Sequence, residues 1–254
     1  MLIDTHCHLD HPKFDDDRVA MLQRAKDAGI AKLITIGCDA KSSERALNLA
    51  KTHHHLYATV GIHPHDAANA ELHDDKRLRS LAQHKKCVAI GECGLDYYYD
   101  NSPRDTQKAV FRQQIKMAHD LQLPLVIHVR DAWEDFFTII DEEKLPKRGA
   151  VVHCFTGTQE QAQSSLERGL HLSIPGVLTF KNAGDLPQVV KTVPENRFFI
   201  ETDSPFLAPT PYRGKRNEPS FVVQVAKRVA EIREISYEAV LDITGKNANA
   251  FFAL

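Results

Sequence analysis

Short runs of Val, Ile and Leu on consecutive positions alternate along this chain with stretches whose apolar residues recur every three to four positions. The runs predict strands at Leu2–Thr5, Lys32–Ile36, Tyr57–Gly61, Val88–Gly91, Leu125–Ile127, Ala150–Val152, His171–Ile174 and Phe198–Glu201. Between and after them, helices are predicted over Arg18–Ala28, Arg104–Leu121, Gln161–Arg168, Val222–Arg233 and Tyr237–Phe252. Gly29 and Gly169 stand where a helix ends in a left-handed residue, and Thr158 with Gln161 forms a capping-box signature. Most runs are apolar on consecutive positions, as strands covered on both faces must be. Eight such strands separated by helices fit a closed parallel (β/α)8 barrel of the TIM type, an α/β fold. An open doubly wound sheet would carry a glycine-rich phosphate loop after its first strand, and here that strand leads into His6-Cys7-His8.

Composition narrows this picture. At 254 residues, without repeats or linkers, the chain is expected to be a single barrel domain over 1–254. A formal charge of −2 argues against coating long stretches of nucleic acid but is compatible with gripping a few phosphates at one site. No apolar stretch is long enough to span a bilayer, and the first residues lack the pattern of an export signal. Five cysteines without CxxC spacing read as reduced thiols, so the expectation is a cytoplasmic monomer with no membrane partner.

Polar residues recur where the predicted strands end. His6 and His8 follow the first, His63 and His65 the third, Glu92 the fourth, His128 the fifth, His153 the sixth and Asp203 the eighth. The carboxyl ends of barrel strands meet at one mouth, so these residues are expected to converge there. His6 and His8, two apart on a strand, are expected to face the interior together. One histidine at a strand end is usually a hydrogen-bonded side chain. Six His, Glu and Asp residues recurring over five strand ends call for metal instead. A nitrogen and carboxylate donor set suits Zn, Mn, Co, Ni or Fe(II), and Mg less comfortably. Glu92 stands where many His-x-His barrel hydrolases use a modified lysine to bridge two metals, and a glutamate can bridge two cations with its two oxygens.

Other features take plainer readings. Cys7, Cys38 and Cys93 are expected to be packed residues, and His53-His54-His55 a solvated turn between a helix and a strand. Arg213, Lys215 and Arg216 lie in the loop leaving the strand that bears Asp203, so they are expected to reach substrate phosphates over the mouth. Phe206 and Tyr212 are available to stack on a base, although Phe206 is expected to pack in the core.

The chain resembles the TatD DNase family through Asp4-Thr5-His6-Cys7-His8-Leu9-Asp10, Gly61-Ile62-His63-Pro64, Gly91-Glu92-Cys93-Gly94-Leu95-Asp96, His128, His153-Cys154-Phe155-Thr156-Gly157, Glu201-Thr202-Asp203-Ser204-Pro205 and Arg213-Gly214-Lys215-Arg216-Asn217-Glu218-Pro219. These occur in the family's order from about Leu2 to the C-terminus. The resemblance implies a cytoplasmic, divalent-metal deoxyribonuclease of the 3′→5′ exonuclease type, acting on DNA ends or short single strands. It implies two cations, one held by His6, His8, Glu92 and Asp203, the other by Glu92, His128 and His153. Beside such metals Asp203 is the candidate to orient the attacking water and take its proton, and His63, outside the family's metal set, is expected to meet a phosphate oxygen or the leaving group, or else to make a hydrogen bond behind a ligand. Two other readings compete: an esterase-type hydrolase such as a D-aminoacyl-tRNA deacylase on the same metals, and a non-catalytic metal-binding protein. The basic loop favours phosphate-bearing substrates, and a carboxylate beside two metals at an open mouth speaks against binding alone.

Overall fold

A computed structural model describes residues 1–254, apart from the side chains of Leu72 and His73. Eight parallel strands form one sheet in sequence order: β1 (Leu2–Cys7), β2 (Ile30–Thr35), β3 (Leu56–Val60), β4 (Cys87–Asp96), β5 (Leu125–Arg130), β6 (Ala150–Val152), β7 (His171–Ile174) and β8 (Phe198–Ile200). The sheet closes where β1 meets the segment after β8: Cys7 bridges to Ser204, and the Asp203 N–H donates to the His6 carbonyl at 2.9 Å. This is the expected β/α barrel.

The helices α1 (Arg18–Asp27), α2 (Ala40–Thr52), α3 (Leu72–Ala82), α4 (Arg104–Leu121), α5 (Trp133–Glu143), α6 (Gln159–Glu167), α7 (Leu186–Thr192), α8 (Val222–Arg233) and α9 (Tyr237–Phe252) clothe it. The sequence pattern gave α2 no bounds, placing only a helix before His53, and missed α3, α5 and α7. Local chemistry marks two helix starts well: Asp39 caps α2 by accepting from the Ser42 N–H at 2.6 Å, and Thr158 caps α6 as its capping box predicts. One apolar cluster fills the space between sheet and helices, including Phe14, Phe111, Phe136 and Phe198. A second joins Ile3, Ile34, Val126 and Phe199 to Phe251 and Phe252 of α9. It seals the end of the barrel opposite the mouth.

Strand β4 runs past its expected end at Gly91 to Asp96. Two glycines make this possible. Gly91 and Gly94 have φ of +136° and +132°, and a Cβ would come within 2.3 Å of the Val126 carbonyl oxygen and 2.0 Å of the His128 carbonyl oxygen. Their missing side chains let β4 lie against β5, which holds Glu92 and His128 beside each other.

Candidate metal centre

Strand β1 and the residues just past it carry His6 and His8, β4 carries Glu92, β5 carries His128, and His153 and Asp203 follow β6 and β8. All six meet at the mouth, nearly inaccessible to solvent. The two oxygens of Glu92 face different partners. Oε2 lies 3.3 Å from His6 Nε2 and 4.0 Å from His8 Nε2. Oε1 lies 2.8 Å from His153 Nε2, 3.0 Å from His128 Nδ1 and 3.2 Å from His63 Nε2. Asp203, held at φ +56°, brings Oδ1 to 3.2 Å from His8 Nε2 and 3.7 Å from His6 Nε2. That left-handed backbone is one that aspartate tolerates better than most residues.

Three of these imidazoles are also held from behind. His128 Nε2 meets Asp96 Oδ2 at 2.9 Å, His153 Nδ1 faces Glu201 Oε1 at 3.4 Å, and His8 Nδ1 lies 3.7 Å from Cys38 Sγ. The same Asp96 oxygen takes His65 Nε2 at 3.0 Å. Such outer partners fix the orientation and tautomer of a ligating imidazole. Sequence reasoning gave no role to Asp96, Glu201 or His65, although all three lie in stretches that carry the family resemblance or beside them. It read Cys38 as packing alone; instead the half-buried thiol touches His8, because the turn after β2 runs beneath the mouth.

The electrostatics follow from burial and crowding. Burial alone pushes the Glu92 carboxyl up, but His153, His63 and His128 outweigh it and hold it well below the usual carboxylate range. Asp203 is likewise raised by burial and lowered further by His8, His6 and His153. Burial drives His63 down to about 4 against the pull of Glu92, so at neutral pH the ring is uncharged. Burial lifts the Cys38 thiol to about 11.

The donor set fits divalent cations. His6, with a side chain 1% exposed, has neither ring nitrogen in a hydrogen bond, its approach to Glu92 being out of line. His6 and His153 stack at 3.8 Å with their planes 11° apart. Unsatisfied imidazole nitrogens packed around buried carboxylates are costly unless a cation accepts their lone pairs. The groups close enough to share one ion include His6, His8 and Asp203, and also His63, Glu92 and His128.

The remaining sequence candidates are placed differently from one another. The Lys215 side chain is exposed, while its backbone N–H donates to the Tyr212 carbonyl at 3.0 Å. Arg213 lies 3.6 Å over the Phe180 ring and donates to the Ala208 carbonyl. Arg216 is drawn off: its guanidinium grips both Asp17 oxygens at 2.7 and 2.8 Å and the Lys13 carbonyl at 2.7 Å. Phe206 is 41% exposed at the mouth, against the expectation of a core residue, because it follows the tight turn at Asp203 that points it outward. Tyr212 is taken up by Phe221, stacked at 3.9 Å. His53, His54 and His55 form the expected turn after α2.

Residues 3–253 match the model of the family described as TatD related DNase. The chain belongs to the TatD family. A metal-dependent hydrolase of Bacillus subtilis (strain 168), YabD, itself uncharacterized, is 44% identical over 254 residues and is covered completely, as is this chain. The 3′-5′ ssDNA/RNA exonuclease TatD of Rahnella sp. (strain Y9602) is 37% identical over 253 residues, covering 97% of this chain and 96% of that protein. Among solved structures, the TatD homolog YJJV of Escherichia coli K12 superposes with a TM-score of 0.94 at 30% identity, over 100% of this chain and 98% of the other. Among the described residues of this TatD chain, no helix is long and apolar enough to cross a membrane.

Proposed function

We propose that this TatD-family hydrolase is a divalent-metal-dependent exonuclease that shortens single-stranded DNA, and RNA, from the 3′ end. The observation that carries the reading is the division of Glu92, with Oε2 turned to His6 and His8 and Oε1 to His128 and His153. His6, His8, Glu92 and Asp203 would hold one cation, and Glu92, His128 and His153 a second, from among Mg, Mn, Zn, Co and Ni. When bound, the metals acidify water and neutralise phosphoryl charge.

The chain's own groups supply the rest. Asp203 is ionised at neutral pH and is the buried carboxylate available to accept a proton from water. The His65 N–H donates to His63 Nδ1 at 3.1 Å, so a neutral His63 carries its proton on Nε2. A ring in that tautomer donates to a phosphate or leaving-group oxygen and has no lone pair there for a cation. Of the loop cations, Lys215 and Arg213 make no ion pair among the described residues, and they would meet backbone phosphates. The reading includes a cytoplasmic monomer.

The test is incubation of purified protein with short labelled oligonucleotides, with each metal and with a chelator. Stepwise shortening from the 3′ end that needs metal is expected. Deacylation of D-aminoacyl-tRNA with no strand cleavage would replace this function with the ester-hydrolase reading.

A further inference from the structure

Six large hydrophobic side chains are exposed among the described residues, and four of them, Tyr98, Tyr99, Phe206 and Leu207, stand in the segments that leave β4 and β8 at the mouth. In an eight-strand ring taken in sequence order, β4 and β8 are diametrically opposed. The three rings therefore flank the metal centre from both sides.

Each side pairs its aromatic surface with a cation. Tyr98 and Tyr99 are 59% and 53% exposed, and the Arg130 guanidinium at the end of β5 lies 3.9 and 4.9 Å from their ring centres. Across the mouth, the Lys13 ammonium lies 5.4 Å from the centre of the Phe206 ring. Both sides are tied to the centre. The Tyr98 and Tyr99 N–H groups donate to Asp96 Oδ1 at 3.1 and 2.9 Å, while Oδ2 of the same carboxylate holds His128. The Tyr99 ring packs edge-on against His65 at 5.3 Å. Phe206 lies 5.7 Å from the His8 ring, and its N–H donates to the Asp203 carbonyl at 2.9 Å. These rings are rigidly placed on the first layer outside the ligands, yet open to solvent.

We propose that the Tyr98–Tyr99–Arg130 and Phe206–Lys13 pairs are stacking platforms for the two bases on either side of the phosphate held at the metal centre. The inference rests on the nucleic-acid reading above and adds how the strand is held. A flat apolar face accepts any base, and a cation beside it meets the adjoining phosphate, so the grip is indifferent to sequence. Bases inside a duplex are already stacked on their neighbours and cannot lie on either platform. The platforms thereby restrict the enzyme to unpaired ends.

Binding decides it, using the protein as purified and phosphorothioate-linked strands that resist cleavage. One strand is oligo(dT); the other has the same length and linkage but abasic sugars. Fluorescence anisotropy should show oligo(dT) bound about five- to a hundredfold more tightly than the abasic strand, the range expected for stacking on one or two rings. The Tyr98→Ala/Tyr99→Ala/Phe206→Ala variant should lose most of that difference while binding the abasic strand as the parent does. Tyr99→Trp and Phe206→Trp should keep it, and Arg130→Gln should weaken both strands and reduce the salt dependence. Equal affinity of the parent for the two strands, or no binding of either, overturns the proposal. So does a base preference that survives the triple substitution. Metal-dependent cleavage of bis(p-nitrophenyl) phosphate tests the phosphodiesterase reading separately: its failure would leave a measured base preference intact.

Discussion

Asp96 and His128 form a 2.9 Å contact on the side of the imidazole turned away from Glu92. Burial pushes the Asp96 carboxyl up, yet His128 and His65 outweigh it and keep it ionised across any working pH. The charge fixes the proton of His128 on Nε2 and turns the Nδ1 lone pair inward. Asp96→Asn preserves shape and removes that charge. Metal affinity at the Glu92–His128–His153 half should fall about 10- to 100-fold, as for other outer-shell substitutions. Calorimetric titration of metal into the stripped protein measures it. An unchanged affinity would mean that packing alone orients the ring.

Asp203→Asn separates holding a cation from taking a proton. The amide keeps one oxygen toward His8 and cannot serve as a base. His6, His8 and Glu92 remain, so metal content should be weakened and not abolished. Turnover of a short oligonucleotide at saturating metal should fall by at least about 100-fold, the lower range for losing a positioned general base. Cleavage near the parent rate with full metal content would move the proton acceptor elsewhere, with His63 the first group to test.

The loop after β8 should divide by residue. Lys215→Ala should raise KM for oligonucleotides and flatten its salt dependence while leaving kcat close to the parent value. Arg216→Ala should act on stability instead, since its guanidinium ties the loop to Asp17. The pair is about one-third exposed on each side, so a coupling of roughly 0.5–1 kcal/mol is expected from a double-mutant cycle with Asp17→Ala in urea denaturation.

His171 should make the fold acid-sensitive independently of the metal centre. Its ring stacks on Phe199 at 5.3 Å at the sealed end of the barrel, and burial lowers it from 6.5 to about 4. Between those values the unfolded chain binds the proton and the folded chain does not, so stability falls as pH drops from 6.5 towards 4. His171→Phe should leave stability above pH 6.5 little changed by this group and flatten the acid side by about 2 kcal/mol. The check is urea denaturation of both proteins across that range; parallel curves would sink the assignment.

The barrel was legible because strands covered on both faces must be apolar at consecutive positions, and that signal survives in most of the eight runs. The grouping of His6, His8, Glu92, His128, His153 and Asp203 followed from topology, since parallel strands send their carboxyl ends to one mouth. The limits of β4 were not legible: the apolar run stops at Gly91, yet Gly91 and Gly94 are what lets the strand continue against β5. Asp96 and Glu201 were missed for a related reason. A carboxylate acquires its partner from the register between neighbouring strands, which no single segment encodes. Phe206 misled because a phenylalanine is buried far more often than it is displayed. Arg216 misled because position in a loop says nothing of a competing aspartate on α1.

The two groups of donors proposed to hold cations differ in how far apart their members lie along the chain. Glu92, His128 and His153 sit on or just beyond three consecutive strands, with separations of 36 and 25 residues. His8 and Asp203 are 195 residues apart, and β1 is seated from below by α9, whose Leu241 carbonyl takes the amino group of Met1 across 240 positions. The first half needs only a local β/α segment to come together. The second needs both ends of the chain, and closing so long a loop is the slow and costly part of assembly. The two groups of donors therefore differ in the length of chain each must draw together. One lies within three neighbouring strands, and the other exists only where the first and last strands stand side by side.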